Sequence, residues 1–363
     1  MKAYKVPMSY NEVDAAGLNS VLKRYQGINH QRIVTDFEER ISELSGAQQV
    51  VALNSGTAAL HLALKLLNTG PGDLVLVSTF TYVASVSPIR YCGAEPVFID
   101  SEPETWNMDP ELLEKALADL AGKGQKPKAI IVVHAYGMPA QMDKIMAVAE
   151  KWEVPVIEDA AEAFGATFRD KWAGTLGDLG IYSFNNNKSV TTFGGGVLVT
   201  KNLQWAEKAR KWATHARENK PFYEHLELGY NYALSPLSAA YGLLECETWK
   251  TRIEARRQIF EEYRVALGNR ATSQQETTAM KSSRWLSVFR LSNNKNIKQL
   301  IDNQEFEIRK VWNPMHKQPV FGEANAYLNG TAEALFREAV CLPSGKITAK
   351  DFQQMCTWLQ NML

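Results

Sequence analysis

The sequence predicts an α/β fold: a large domain with a mostly parallel, seven-stranded sheet between helices, followed by a smaller C-terminal α+β domain. Three observations predict it. From about residue 35 to 200 the chain alternates helical and strand patterns. Its strand segments are continuous apolar runs, as in parallel strands buried on both faces. Beyond about residue 203 the pattern turns to long amphipathic helices.

The strands are expected, in order, at QVVALN (49–54), DLVLVS (73–78), EPVFID (95–100), KAIIVVH (128–134), VPVIED (154–159), LGIYSF (179–184) and GGVLVT (195–200). The first leads into SGTAALHLALKLLNTG, where Ser55 is a natural helix cap and Gly70 a natural stop. After the sheet, residues 235–267 read as one long helix. A strand at RWLSVFRLS, a helix near 296–304 and a final helix at about 348–362 complete the smaller domain. The boundaries expected are 10–248 for the large domain and 249–363 for the small one, with residues 1–9 packing on the latter.

Composition bounds the function. The 363 residues, 45% hydrophobic, suffice for a full core, and forty basic residues balance forty acidic ones without a basic run suited to a phosphate backbone. Nucleic acid is therefore not an expected partner. Cys92, Cys246, Cys341 and Cys356 are too widely spaced for a metal motif or a disulfide scaffold, which fits a reducing, cytoplasmic setting. His30, His61, His134, His215 and His225 lack metal-ligand spacing, so no metal is expected. No apolar run reaches the roughly 18 residues that would argue for a membrane span, and the first residues have no apolar signal core.

Ligands of such sheets bind beyond the carboxyl ends of the strands. Five polar clusters fall there: Ser55 to Thr57, Thr79 to Ser85, His134 to Gly137, Asp159 to Glu162, and Ser183 to Lys188. Lys188 sits in SFNNNKSVTTFGGG, after a buried strand and among neutral amides. A lysine is ordinarily a solvated surface charge, but one drawn out of water can attack a carbonyl. Asp159 ends a buried strand; it is either a turn or cap residue or the counter-charge of a cation such as a protonated pyridine. The amides of Gly56 and Thr57 open a helix, where an anion is favoured, and Ser183 could add a hydroxyl. Tyr82 or Phe80 could lie flat on an aromatic ring, although either is by default a core residue.

In their order, SGTAAL, TFTYVAS, HAYGMPAQMDKI, EDAAEAFGA, SFNNNKSVTTFGGG, GYNYALSPLSAA and LPSG resemble the fold-type-I, pyridoxal phosphate (PLP)-dependent nucleotide-sugar aminotransferases of the DegT/StrS family, from roughly residue 8 to the C-terminus. The resemblance implies that Lys188 carries PLP as a Schiff base and that Asp159 pairs with the pyridine nitrogen. It also implies that Tyr82 stacks on the ring, that Gly56, Thr57 and Ser183 contact the phosphate beside the capping Ser55, and that Asn231 of GYNY reaches the phosphate of a neighbouring subunit in a homodimer. Glutamate would be the amino donor and pyridoxamine phosphate the intermediate cofactor form. Deoxygenating members of the family typically have histidine in place of this lysine, so Lys188 favours transamination.

One position departs from the pattern. Glu162 stands where many relatives carry glutamine or histidine beside the cofactor's 3-oxygen. A carboxylate next to a phenolate repels it unless one holds a proton, so Glu162 is expected either to have a raised pKa or to turn toward another donor. The segment IRKVWNPMHKQPVF resembles the corresponding segment of enzymes that aminate the C4 ketone of UDP-linked 2-acetamido-2,6-dideoxyhexoses. Arg309, Trp312 and His316 match it as substrate-site candidates, while Asn313 stands where lysine is common. Core packing is the competing reading for this segment. Two other functions use the same residues: a PLP-dependent sugar dehydratase or epimerase, and a non-catalytic PLP-binding regulator.

Overall fold

A computed structural model describes residues 4–9, 11–293 and 295–363. Seven strands lie within a residue or two of their expected places: β1 (Gln49–Leu53), β2 (Leu74–Ser78), β3 (Glu95–Ile99), β4 (Ala129–Val133), β5 (Val156–Asp159), β6 (Leu179–Ser183) and β7 (Gly196–Thr200). The C-terminal part of the chain adds β8 (Ala326–Tyr327), giving an eight-stranded sheet in the order β1-β7-β6-β5-β4-β2-β3-β8. Only β7 runs against its neighbours, pairing antiparallel with both β1 and β6. The other pairs are parallel, with Val133 opposite Asp159 and Asp159 opposite Ile181.

The strands are apolar along their length because both faces are covered. Val77, Ile131, Ile157 and Leu198 pack on one face with Leu62 and Leu64 of helix α1 (Gly56–Leu66). Leu76, Ile130, Val132 and Val156 pack on the other with Leu117 and Ile145. Each such side chain is worth about 1.5–3 kcal/mol of burial, which makes the sheet a rigid base for the loops at its carboxyl edge.

Helix α2 (Pro236–Leu267) has 32 residues and is about 48 Å long. Ser235 caps it by accepting the Ser238 amide at 3.1 Å, and Pro236 occupies the first turn, where no amide donor is needed. Its first half packs on the helix Gln31–Ser45, where Gly242 leaves room for Phe37. In its second half Phe260 stacks on Phe289 at 5.2 Å, within a four-stranded sheet formed by Ala271–Thr272, Ser287–Leu291, Ala339–Leu342 and Arg309–Lys310. Val6 bridges Phe306, so the beginning of the described chain packs on this C-terminal sheet; residues 1–3 lie outside the described residues.

The C-terminal segment also crosses back to the large sheet. Besides β8, Asp100 after β3 accepts the amides of Asn329, Gly330 and Ala332, and Met280–Lys281 pairs with Thr167–Phe168 in a separate three-stranded sheet. These attachments bring residues 282–285 and 311–316 to the carboxyl edge of the large sheet.

Candidate active site

The five polar clusters meet at that edge through recorded contacts. Ser55 accepts the Ala58 amide at 3.1 Å and caps α1, leaving the first amides of the helix without an intrahelical acceptor. A Cβ on Gly56 would lie 3.2 Å from Ser183 Cβ, so the helix N-terminus directly abuts the end of β6. The glycine run serves the same approach: a Cβ on Gly196 would fall 2.5 Å from the Gly56 amide nitrogen. Thr57 follows in the first turn, so Gly56, Thr57 and Ser183 form a compact donor corner at a positive helix end, suited to a phosphate.

Asp159 ends β5 and is buried. Ser85 donates its hydroxyl to Oδ2 at 2.6 Å, and the Ala161 amide donates to Oδ1 at 3.1 Å. Thr81 Oγ1 lies 2.6 Å from Ser85 Oγ, which sets the direction of the Ser85 donor. Burial raises the Asp159 carboxyl above its usual range, against the pull of Ser85, the Ala161 amide, Lys188 and His134. Among the described residues no lysine or arginine forms an ion pair with it. A carboxylate buried in this setting would favour a cation arriving with a ligand. A protonated pyridine nitrogen has the required charge and donor, so the residues fit PLP.

Lys188 follows a turn closed by its own amide donating to Asn185 O at 3.0 Å. Its Nζ donates to Glu162 Oε1 at 3.4 Å and lies 3.9 Å from the centre of the Trp285 ring. Glu162 Oε2 accepts the Tyr136 amide at 2.9 Å. Burial raises the Glu162 carboxyl to about 7, opposed by Lys188 and the Tyr136 amide. Burial, not a cofactor phenolate, thus raises this carboxyl, and it already faces two donors, Lys188 Nζ and the Tyr136 amide. Tyr136 has φ of 56°, a left-handed conformation that points its amide at Glu162 and stacks its ring on Trp312 at 4.0 Å.

The remaining candidates are placed unequally. Tyr82, 58% exposed, projects from the loop after β2, whereas Phe80 is buried and serves the core. Asn231 is exposed, and its carbonyl accepts Asn54 Nδ2 at 3.0 Å beside Ser55. Trp312 reaches the cluster, its amide donating to Tyr136 Oη at 3.1 Å.

His316 also sits at this edge, but both ring nitrogens are engaged. Nδ1 lies 2.7 Å from Thr79 Oγ1, and Nε2 lies 3.3 Å from Glu333 Oε1. A carboxylate can only accept, so a neutral ring donates from Nε2 and accepts from Thr79 at Nδ1. In this structure His316, a substrate-site candidate by resemblance, ties the C-terminal segment to the β2 loop. Arg309 is exposed and ion-pairs with Glu307; no contact with the Lys188–Asp159 cluster is recorded among the described residues. The sequence places Ser85 and Tyr136 in two of the polar clusters but names no partner for either, and it does not single out Trp285 as a site residue. A tryptophan after SSR and a serine in a helical turn carry no local signal of their partners.

The model of the DegT/DnrJ/EryC1/StrS aminotransferase family matches residues 9–360. The chain is 44% identical over 330 residues to the Bacillus subtilis (strain 168) protein named "Putative pyridoxal phosphate-dependent aminotransferase EpsN", covering 88% of this chain and 85% of that protein. It is 34% identical over 342 residues to GDP-perosamine synthase of Caulobacter vibrioides, covering 92% and 90%. The crystal structure of a DegT DnrJ EryC1 StrS aminotransferase from Brucella abortus superposes with a TM-score of 0.89 at 27% identity, covering 95% of each chain.

Proposed function

The chain belongs to the DegT/DnrJ/EryC1/StrS aminotransferase family and is a PLP-dependent nucleotide-sugar aminotransferase, and on that premise we propose that it moves the amino group of glutamate to the C4 ketone of a UDP-linked 6-deoxy-4-keto-hexose. The observation that carries the residue assignments is the pairing of a poised amine, Lys188, with a buried carboxylate, Asp159, that has no ion-pair partner among the described residues. When bound, PLP supplies an electron-poor ring that takes up the electron pair released on breaking a C–H bond.

The chain's own residues hold and serve that ring. Lys188 would hold the aldehyde carbon, and its amine, when free, would take the proton from the donor's α-carbon. Asp159, oriented by Ser85, would keep the ring nitrogen protonated. The Gly56 and Thr57 amides and the Ser183 hydroxyl take the phosphate at the start of α1, with Ser55 shaping the turn. Tyr82 would cover the ring, and Asn231 would reach across a homodimer to the partner's phosphate. Glu162, held by Tyr136, stays within reach of the Lys188 amine.

Support for the acceptor comes from residues 309–321, whose pattern is similar to that of the C4 aminotransferases. Trp312, stacked on Tyr136, presents an apolar face suited to a sugar or base. Arg309 would serve a diphosphate only after leaving Glu307. The name of the Caulobacter relative carries GDP, so the nucleotide is part of the test.

A half-reaction assay decides. Enzyme converted by glutamate to its pyridoxamine phosphate form is offered UDP-, GDP- and dTDP-linked 4-keto and 3-keto sugars, and return of the aldehyde spectrum is followed. Recovery with the UDP-linked 4-keto sugar is expected. A preference for 3-keto sugars overturns the acceptor assignment. Failure of glutamate to convert the cofactor supports a dehydratase, an epimerase or a non-catalytic regulator instead.

A further inference from the structure

The residues around the Lys188 amine form more than a passive wall. Trp285 is 6% exposed and is fixed at three points. Its indole N–H donates to Asn187 O at 2.9 Å, one residue before the lysine. Its carbonyl accepts Arg256 at 2.5 Å, and its ring lies parallel to Tyr136, with centres 6.3 Å apart and planes 11° apart. The segment carrying it is docked by Ser282 Oγ on Gly137 O at 2.8 Å and by Ser283 Oγ on Glu162 O at 3.1 Å. The ring face thus meets Lys188 Nζ at 3.9 Å while Glu162 meets the same atom at 3.4 Å.

A ring face and a carboxylate both attract an ammonium and have little hold on a neutral amine. We propose that Trp285, with Glu162, forms a fixed berth for the charged form of Lys188. The berth receives the side chain whenever it is not bonded to cofactor and stabilises the ammonium produced when the amine takes a proton. Trp285 is therefore a positioning residue, acting through Lys188. The groups facing this amine are Glu162 from the turn after β5, Trp285 from the 282–285 segment, and, at longer range, Asp159 at the end of β5. This inference rests on the reading of Lys188 as the cofactor lysine.

The test uses the pyridoxamine phosphate form of the full-length enzyme, in which the lysine amine is free. Reductive methylation at pH 7 is followed at Lys188 by peptide mass mapping, with thermal unfolding as a check on the fold. Trp285→Leu removes the ring face and is expected to raise the labelling rate at least about fivefold, the lower end of the range for a cation–π contact. Trp285→Phe keeps a face and is expected to restore a rate within about twofold of wild type, since the ring is what holds the cation. Glutamate turnover in Trp285→Leu is expected to fall in kcat with little change in KM.

Equal labelling of wild type and Trp285→Leu overturns the berth. So does equal acceleration in Phe and Leu variants, which would assign the effect to the lost N–H tether. If Trp285→Leu does not fold, Glu162→Gln reads the other wall: faster labelling upholds the berth and an unchanged rate overturns it. Borohydride trapping of PLP-loaded wild type reports separately on the cofactor lysine. Trapping elsewhere sinks that assignment whatever the labelling ratio.

Discussion

At position 188 one amine meets a carboxylate and an aromatic face, and residue-scale predictions follow from that encounter. Lys188→Ala is expected to eliminate the visible Schiff-base absorbance and turnover while leaving thermal unfolding close to wild type. An intact band in that variant removes Lys188 from its role. Asp159→Asn is expected to keep cofactor but to slow the glutamate half reaction by at least about a hundredfold, the usual lower scale for lost proton-transfer assistance. An unchanged single-turnover rate would contradict it. Glu162 gives a stability test in the cofactor-free protein. Its folded carboxyl lies at about 7, above the ordinary 4.5, so the folded state binds the proton more tightly than the unfolded one. Stability from this group is full below 4.5 and is lost as pH rises toward 7, by about 3 kcal/mol in all. Glu162→Gln should therefore gain on wild type between pH 5 and 8 in denaturant unfolding. Parallel pH profiles would show that Glu162 is not the group titrating.

At the scale of elements, the junction of α1 with β6 and β7 is the decisive fit. The helix N-terminus can face a phosphate only because Gly56 and Gly196 let three backbones converge. A Cβ at Gly196 would stand 2.5 Å from the Gly56 nitrogen and 2.6 Å from the Ser55 carbonyl carbon, atoms that cannot swing aside. Gly196→Ala should cost about 1–3 kcal/mol of stability, as overpacking does, and weaken PLP binding as measured by fluorescence titration. Wild-type affinity in a folded variant would place the phosphate elsewhere. Sequence patterns located the seven large strands because each is a continuous apolar run bounded by turn residues. The run at 154–159 begins ladder pairing only at Val156, since Pro155 has no amide to donate. The short strand Ala326–Tyr327 left no pattern, because two residues cannot show a period.

At the scale of the whole molecule, the C-terminal segment is bound to the large sheet by β8, by the Asp100 latch and by His316 on Thr79. The crevice is thus walled by both parts of the chain. Among the described residues no helix is long and apolar enough to cross a membrane. Phe222, Tyr223, Leu226 and Leu228 are exposed on the segment leading to Asn231. They suit the homodimer interface on which the proposed sharing of sites depends. Mixing Lys188→Ala chains with Asn231→Ala chains should recover about a quarter of wild-type turnover, because half the random dimers would hold one intact site. No recovery, with each variant alone inactive and dimers verified by sedimentation, would confine each site to one chain.

The sequence by itself determined where seven strands fall along the chain, the capped helix after the first strand, the polar residues at strand ends, and the lysine and aspartate among them. These are encoded locally, by apolar runs, caps and glycines whose meaning does not depend on distant residues. Only the tertiary structure decided which side chains meet there. Ser85 lies 74 residues from the Asp159 it orients, Trp285 lies 98 from the Asn187 carbonyl it holds, and Thr79 lies 237 from the His316 it occupies. Such pairs are set by how packed surfaces bring remote segments together, and a residue's own neighbours in sequence carry no trace of that distance.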